Sequence, residues 1–475
     1  MSLANRSLVT IDDLSNGEIE SLFSLADDMS GAMDKQLDLC RGKIMASLFF
    51  EPSTRTRLSF ETAMHKLGGS VISVVDVKAT SLAKGESIAD MARVVGSYAD
   101  IIVVRHPWEG AAKVIADYAG VPVINAGDGG HEHPTQTLCD LYTLKKERQT
   151  LKGLRIALWG DLKHGRTIHS LTYALARFGA IIHFRSGPGL ELPEYVKRKL
   201  ETEYTGRLER YENLSSLLKG RHFPINAIYM TPSSPHQLAN IPDVSMQVEL
   251  EKGVEALYVT RLQMERLSTK AGGGLKEDYP IVDKELLEGK EFSETLVLHP
   301  LPRVDELSRE LDADPRSMYF KQASLGVPVR MALVALLLGA RKAPIIKEDD
   351  SFIQKIEHPP CKYIYGVICP NHNCVSRHET KYIKPEFILV CRQPIILRCV
   401  YCEHEVNPPY IASSEWHEGV LIHKQYHSSD SHWARKIRAE NLIIFNSEKE
   451  AESHGFKPSH YAKKHYRITK KKVEQ

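Results

Sequence analysis

Nine short runs rich in β-branched residues punctuate the first 300 residues, and stretches of helical period separate most of them. The runs are KIMASLF (43–49), SVISVV (70–75), DIIVVRH (100–106), VPVINA (121–126), LRIALWG (154–160), AIIHFRS (180–186), AIYM (227–230), ALYVT (256–260) and TLVLHP (295–300). Helices are predicted near 55–67, 86–98, 110–119 and 134–147, and an opening helix from Ser15, where Ser15 and Glu18 make a capping box. Strands joined through helices must pair in parallel, since the crossover brings the chain back to the same end of the sheet. The pattern predicts an α/β chain with two parallel-sheet domains, 1–150 and 151–310, and helix 134–147 bridging them. The run VPVRMALVALLLGA (327–340) is apolar nearly all round and is predicted to be buried, with the last helices near 310–340 packing back on the first domain.

A chain of 475 residues exceeds one hydrophobic core, so further domains are expected. A net charge of +2 offers no general attraction for nucleic acid or for a membrane surface. No stretch reaches the roughly 18 apolar residues of a membrane span, and MSLANRSLVTIDDL has no apolar signal core. The expectation is a soluble, cytoplasmic protein with neither nucleic acid nor membrane as a partner.

Composition shifts after about 345. Six of the eight cysteines fall between Cys361 and Cys402. Cys369 and Cys374 close CPNHNC, and Cys399 and Cys402 close CVYC. Two short-spaced pairs joined by a β-rich segment are the pattern of tetrahedral Zn2+ held by four thiolates. With all four positions filled by protein, such an ion is structural. Four reduced thiols in a core would not explain the paired spacing, and Cys361 and Cys391 lie outside it. A small β-rich zinc domain is predicted at 345–410, followed by a His- and Lys-rich C-terminal extension, 411–475.

The stretch FFEPSTRTRLSFETA (49–63) crowds four hydroxyls and two arginines into seven residues at a predicted helix start. Pro52 disfavours helix at Glu51 and Ser53 is a good N-cap. First-turn N–H groups, the positive end of the helix dipole, and added guanidinium and hydroxyl groups together suit a phosphate. The same residues also read as a capped helix with solvated arginines.

This stretch resembles the phosphate-binding signature of the carbamoyltransferases. Arg105-His106-Pro107 and His133-Pro134-Thr135-Gln136-Thr137, the latter after AGDGGHE, match that family in type and order. Within it the resemblance is to the aspartate carbamoyltransferases. GDLKHGRTIHS (160–170) matches the segment whose arginine, here Arg166, meets aspartate, and TRLQMER (260–266) the segment supplying Arg261 and Gln263. HPLPR (299–303) matches the loop whose Leu301 and Pro302 carbonyls lie near the transferred group. Ornithine enzymes typically carry a cysteine there, and none occurs between Cys139 and Cys361. TSLAKGES (80–87) matches a loop that reaches a neighbouring subunit's site, with Ser81 and Lys84 contacting carbamoyl phosphate.

The resemblance implies a carbamoyltransferase fold and the reaction of carbamoyl phosphate with L-aspartate, the committed step of pyrimidine synthesis, without a catalytic cofactor. Ser53, Thr54, Arg55 and Thr56 would hold the phosphate, with Lys84 from the next subunit. Thr56, Arg105 and His133 would polarise the carbonyl, and Gln136 would hold the carbamoyl nitrogen. It also implies a homo-oligomer built on trimers and leaves open whether trimers pair through the zinc domain.

CPNHNC, PEF and RQPIILRCVYCE (392–403) resemble the zinc domain of the family's regulatory chain. The chain thus reads as a natural fusion of catalytic chain and zinc domain. No counterpart of the regulatory chain's nucleotide-binding domain is apparent, which implies an enzyme without ATP/CTP control. Residues 221–256 exceed the family pattern, with NAIYMT (226–231) nearly repeated as EALYVT (255–260). The tail WARKIRAENLIIFNSEKEAESHGFKPSHY faintly resembles small metal modules but has Ser459 and His432 near their cysteine positions. It reads as a metal-free packing domain, and the spacing of His427, His432 and His460 marks no site. The competing readings are a different amine acceptor and a silent scaffold binding partners through ribbon and tail. The second predicts losses among Arg55, Lys84, Arg105, His133, Arg166 and Arg261, all of which are present.

Overall fold

The computed structural model describes residues 3–75, 84–148, 150–163, 165–186, 189–204, 208–210, 227–231, 255–261, 281–289, 292–342, 344, 346, 351–354, 356–417, 420–421, 424–433 and 436–460. Ser81, Gln263, most of the stretch 221–256 and the end of the tail lie outside them. The chain divides into two units: Met1–Pro107 with Ile115–Lys355, and Trp108–Val114 with Ile356–Gln475.

In the first unit, α1 (Asn16–Ser30) starts at Ser15 with both halves of the capping box formed. Among the described residues, β1 (Ile44–Phe49), β2 (Ser70–Val74), β3 (Ile101–His106) and β4 (Val123–Asp128) pair in parallel in the order 2-1-3-4. The crossovers are α2 (Thr54–Lys66), α3 (Ile88–Tyr98) and α4 (Ala111–Ala119). β3 and β4 are buried at every residue, which explains their unbroken apolar reading.

Helix α5 (Pro134–Arg148) leads to a second parallel sheet. It contains β5 (Arg155–Trp159), β6 (Ile181–Arg185), β7 (Leu208–Arg210), β8 (Ala227–Met230), β9 (Ala256–Val259) and β10 (Leu296–Leu298), in the order 10-9-8-5-6-7. α6 (Arg166–Arg177) joins β5 to β6, and α7 (Glu194–Glu203) precedes β7.

Helix α8 (Tyr319–Leu337) returns to pack against α1, α2 and α5. Its sequence suggested a start at 327, but the helix begins at Tyr319 and continues through Pro328. The first two turns carry Lys321, Gln322 and Ser324 and so lack the apolar pattern that marked the rest. Among the described residues α8 alone has the length and apolarity to cross a membrane, yet Met331, Leu333, Val334 and Leu337 are fully enclosed in the core.

The parallel sheets decide where chemistry can occur. The carboxyl ends of β1, β3, β4, β5, β9 and β10 lead directly to Glu51, Arg105, His133, Arg166, Arg261 and His299. Ligand crevices of open α/β sheets lie at those ends.

The second unit holds a three-stranded antiparallel sheet, β12 (Phe387–Arg392), β13 (Ile395–Cys399) and β14 (Glu405–Val406). A five-stranded sheet, order 11-19-15-18-20, combines β11 (Tyr363–Tyr365) with β15 (Tyr410–Ser413), β18 (Gln425–Ser428), β19 (Leu442–Phe445) and β20 (Lys457–Pro458), and β16 (Trp416–His417) pairs antiparallel with β17 (Val420–Leu421). The segment before the cysteines and the C-terminal extension therefore share one sheet. Tyr365, Phe445 and Phe456 pack within it.

Trp108–Val114 belongs to this unit through specific contacts. The Glu109 N–H donates to the Asn373 carbonyl, and the Val375 N–H to the Glu109 carbonyl, both at 2.9 Å. Trp108 stacks on His378 with ring centroids 4.4 Å apart. Gly110 has φ +84°, and a Cβ on it would lie 2.5 Å from the Tyr401 Cβ. Gly110→Ala is therefore expected to destabilise the protein by more than about 1 kcal/mol, measured as a fall in the midpoint of thermal unfolding.

Candidate active site and metal centre

Helix α2 starts where the sequence placed it, with Ser53 at the N-cap, but the Ser53 hydroxyl accepts no capping bond. The first-turn N–H groups have no carbonyl partners within the helix, so this turn, which lines the cavity described below, leaves its donors available to an anion. Arg55 lies in this turn, and desolvation followed by repulsion from Arg261 lowers its pKa. Two guanidinium groups close enough to repel one another define a place for an anion.

Arg105 is the penultimate residue of β3 and is 9% exposed. Glu51 lies 3.3 Å from its Nε and accepts from Arg166 Nη1 at 2.9 Å. Arg166 Nη1 also donates to the Gly129 carbonyl at 2.9 Å. Gly127, at φ +116°, lets the backbone pass close beneath; a Cβ there would be 3.3 Å from Arg166 Nη1 and 3.4 Å from His133 Cδ2.

His133 opens α5, and its N–H donates to Ser170 Oγ on α6 at 3.0 Å. The Gln136 N–H and the Thr135 hydroxyl each lie 3.4 Å from its Nδ1, and with Nδ1 accepting from them the ring proton is on Nε2. Burial, reinforced by Arg105, Arg166 and Arg330, pushes its pKa well below the usual value. His133 is therefore a neutral hydrogen-bond donor.

The loop after β10 is set by His299. Its Nε2 lies 2.9 Å from Glu306 Oε1, and its Nδ1 accepts the Leu301 N–H at 2.8 Å. Burial lowers the pKa of His299 despite the carboxylate beside it. Leu301 adopts φ +54°.

These groups line one cavity of about 680 Å3. Of the site residues read from the sequence, it gathers Ser53, Thr54, Arg55, Thr56, Arg105, His133, Gln136, Arg166, Arg261, Leu301 and Pro302. Lys84 is described but is exposed and lies outside this cavity. Ser81 and Gln263 fall outside the described residues. The cavity also includes Glu51, Gln322 and Arg330, which the sequence did not single out. Arg330 had a visible signal, as a lone cation in an apolar run; it is 4% exposed, with its guanidinium 5.0 Å from the centre of the Phe60 ring.

In the second unit the sulfurs of Cys369, Cys374, Cys399 and Cys402 are all buried and all within 4.8 Å of one another. Cys369 and Cys402 sulfurs are 3.4 Å apart, and those of Cys374 and Cys399 3.8 Å. Thiolates about 2.3 Å from a tetrahedral ion stand about 3.8 Å from each other, whereas a disulfide requires about 2.05 Å. The donor set fits a closed four-thiolate metal site. Among the described residues, none of His427, His432 and His460 joins such a cluster.

Family models identify the class. Those for "Aspartate/ornithine carbamoyltransferase, carbamoyl-P binding domain" and "Aspartate/ornithine carbamoyltransferase, Asp/Orn binding domain" match residues 6–146 and 238–337. That for "Aspartate carbamoyltransferase regulatory chain, metal binding domain" matches residues 362–411. The aspartate carbamoyltransferase catalytic subunit of Thermoplasma acidophilum is 45% identical over 339 residues, 71% of this chain and 99% of that protein. That of Methanopyrus kandleri is 44% identical over 340 residues, with the same coverage. The catalytic subunit of M. jannaschii aspartate transcarbamoylase matches in structure with TM-score 0.56 and 40% identity, covering 70% of this chain and 98% of that one. Aspartate transcarbamoylase from Trypanosoma cruzi in complex with carbamoyl phosphate and aspartate gives TM-score 0.58 and 35% identity, covering 71% and 98%. The chain belongs to the aspartate carbamoyltransferase family.

The metal centre makes a direct prediction. Purified protein should carry about one tightly held metal ion per chain. Cys399→Ser should lose it and lower the unfolding midpoint, as read by elemental analysis and calorimetry on the same samples.

Proposed function

We propose that the protein transfers the carbamoyl group of carbamoyl phosphate to L-aspartate, releasing N-carbamoyl-L-aspartate and phosphate, the committed step of pyrimidine synthesis. The observation that carries this reading is the convergence of the α2 first turn, Arg105, neutral His133 and Gln136 with Arg166 and Arg261 in one cavity. The α2 turn receives the phosphate. Thr56, Arg105 and His133 Nε2 face the carbonyl oxygen as it gains negative charge, each aimed donor contributing about 3–4 kcal/mol. Arg166 and Arg261 clamp the carboxylates of aspartate in the bidentate manner that lysine lacks. The uncharged amine attacks the carbonyl carbon, the bond to phosphate breaks, and the leaving phosphate accepts the amine's proton. Holding two reactants in register supplies roughly 7–11 kcal/mol more.

The ion held by Cys369, Cys374, Cys399 and Cys402 is zinc and its role is structural, so the chain combines a catalytic chain with a regulatory-type zinc module as a natural fusion. The enzyme works as a homotrimer or a multiple of it. Lys84 is exposed, and Leu58, Ile72, Val75, Val94 and Tyr98 expose apolar surface on α2, on and just after the edge strand β2, and on α3. Such a patch at a sheet edge suits a second copy, to whose cavity Lys84 would be donated.

A bisubstrate analogue, phosphonoacetyl-L-aspartate, should bind at least about 100-fold more tightly than aspartate, measured by calorimetry. Absence of binding overturns the assignment. Mixed and re-associated Arg55→Ala and Lys84→Ala proteins, each inactive alone, should regain activity, because some sites then combine two intact contributions. No recovery after verified subunit exchange overturns the shared site.

A further inference from the structure

Asp140 lies one turn after Gln136 on α5 and is 1% exposed. Its Oδ1 accepts from Gln136 Nε2 at 2.8 Å and from Gln322 Nε2 at 2.9 Å. Its Oδ2 accepts from the Tyr258 hydroxyl at 2.9 Å. Among the described residues no cation forms an ion pair with it. A carboxylate enclosed without a paired cation is costly, and here three neutral donors from α5, α8 and β9 offset that cost.

What these bonds fix is the direction of two amides. A glutamine side chain has two ends of nearly equal shape, and only a hydrogen-bond partner distinguishes them. Asp140 takes the NH2 end of Gln136, so Oε1 is the end left for the cavity that Gln136 lines. Asp140 also takes the NH2 end of Gln322, whose Oε1 accepts the His299 N–H at 2.9 Å. His299 in turn holds the Leu301 N–H. One carboxylate thus orients Gln136 and anchors the start of the Leu301–Pro302 loop.

We propose that Asp140 is a positioning residue for carbamoyl transfer: it fixes the flip of Gln136 so that an acceptor, never a donor, meets the carbamoyl NH2. The inference rests on the reaction proposed above. A flipped Gln136 would oppose two donors and leave the carbamoyl nitrogen unheld. The carboxylate form is required, since a protonated Asp140 would offer an O–H into a ring of donors.

The surroundings give this a pH signature. Burial raises the Asp140 pKa to about 7, with Gln136, Gln322, Tyr258 and Arg330 pulling it down. Tyr258 on β9 and Tyr229 on β8 face it with pKa values raised by burial, and Cys139 beside it on α5 is likewise raised by burial, so all three stay protonated. His133 is neutral, and the Arg330 guanidinium completes the set of groups that act on Asp140.

The test is a double-mutant cycle on the full chain with carbamoyl phosphate and aspartate. Asp140→Ala should lower kcat about 30-fold in the native background but only about threefold with Gln136→Ala, since the loss passes largely through Gln136. Additive losses in an active protein overturn the inference while the reaction stands. A wild-type protein that transfers no carbamoyl group overturns both. Should Asp140→Ala fail to fold, Asp140→Asn decides by pH profile. Its side chain does not titrate and, like protonated Asp140, turns a donor into the ring. The wild-type kcat should fall as pH drops through about 7, and the Asn variant should lack that limb. Superimposable profiles overturn the proposal.

Discussion

Five arginines face a cavity in which Glu51 is the only acidic residue among the described lining residues. Arg55, Arg105, Arg166, Arg261 and Arg330 arrive from different elements of the first unit, and nothing local would bring them together. Their mutual repulsion opposes folding. It is contained because strand ends and helix starts fix the backbones, and because Glu51 bridges Arg105 and Arg166. Stability given up in this way reappears as affinity for anionic ligands and as donors that need not reorganise during reaction.

The same field sets the protonation of what lies within it. A buried histidine surrounded by guanidinium groups cannot hold a second proton, so His133 keeps one N–H and one lone pair, and the Gln136 backbone decides which is which. The acids are handled oppositely. Asp140 lies outside the cavity lining, behind Gln136, and is sustained by neutral donors. Charge faces the ligand, and the groups behind it supply direction.

How much of this the sequence reveals depends on distance along the chain. β3 and β4 are legible because parallel strands buried on both faces leave continuous apolar runs, while β7, reading LER, has a single apolar residue and leaves no run to read. Ser53 to Arg57 and His133 to Gln136 are legible because each cluster is made of consecutive residues at a helix start. Gln322 and Asp140 are 182 residues apart, and neither residue type at either place signals the bond between them. Glu51 was visible within the phosphate motif, but its pairing with Arg166 spans 115 residues and needs the second sheet to be in place. The polar first turns of α8 concealed both its true start and Gln322.

The five-stranded sheet of the second unit bears on how the protein is made. β11 comes before the four cysteines, yet its parallel neighbour β19 is not synthesised until residue 445 is added. By then the residues from Cys369 to Cys402 have long been synthesised. The four thiols are thus in place while β11 still lacks its neighbour and is an open edge, able to pair with any other nascent strand. The four cysteines are complete early and the sheet late, so the extension completes a domain that the cysteine segment began.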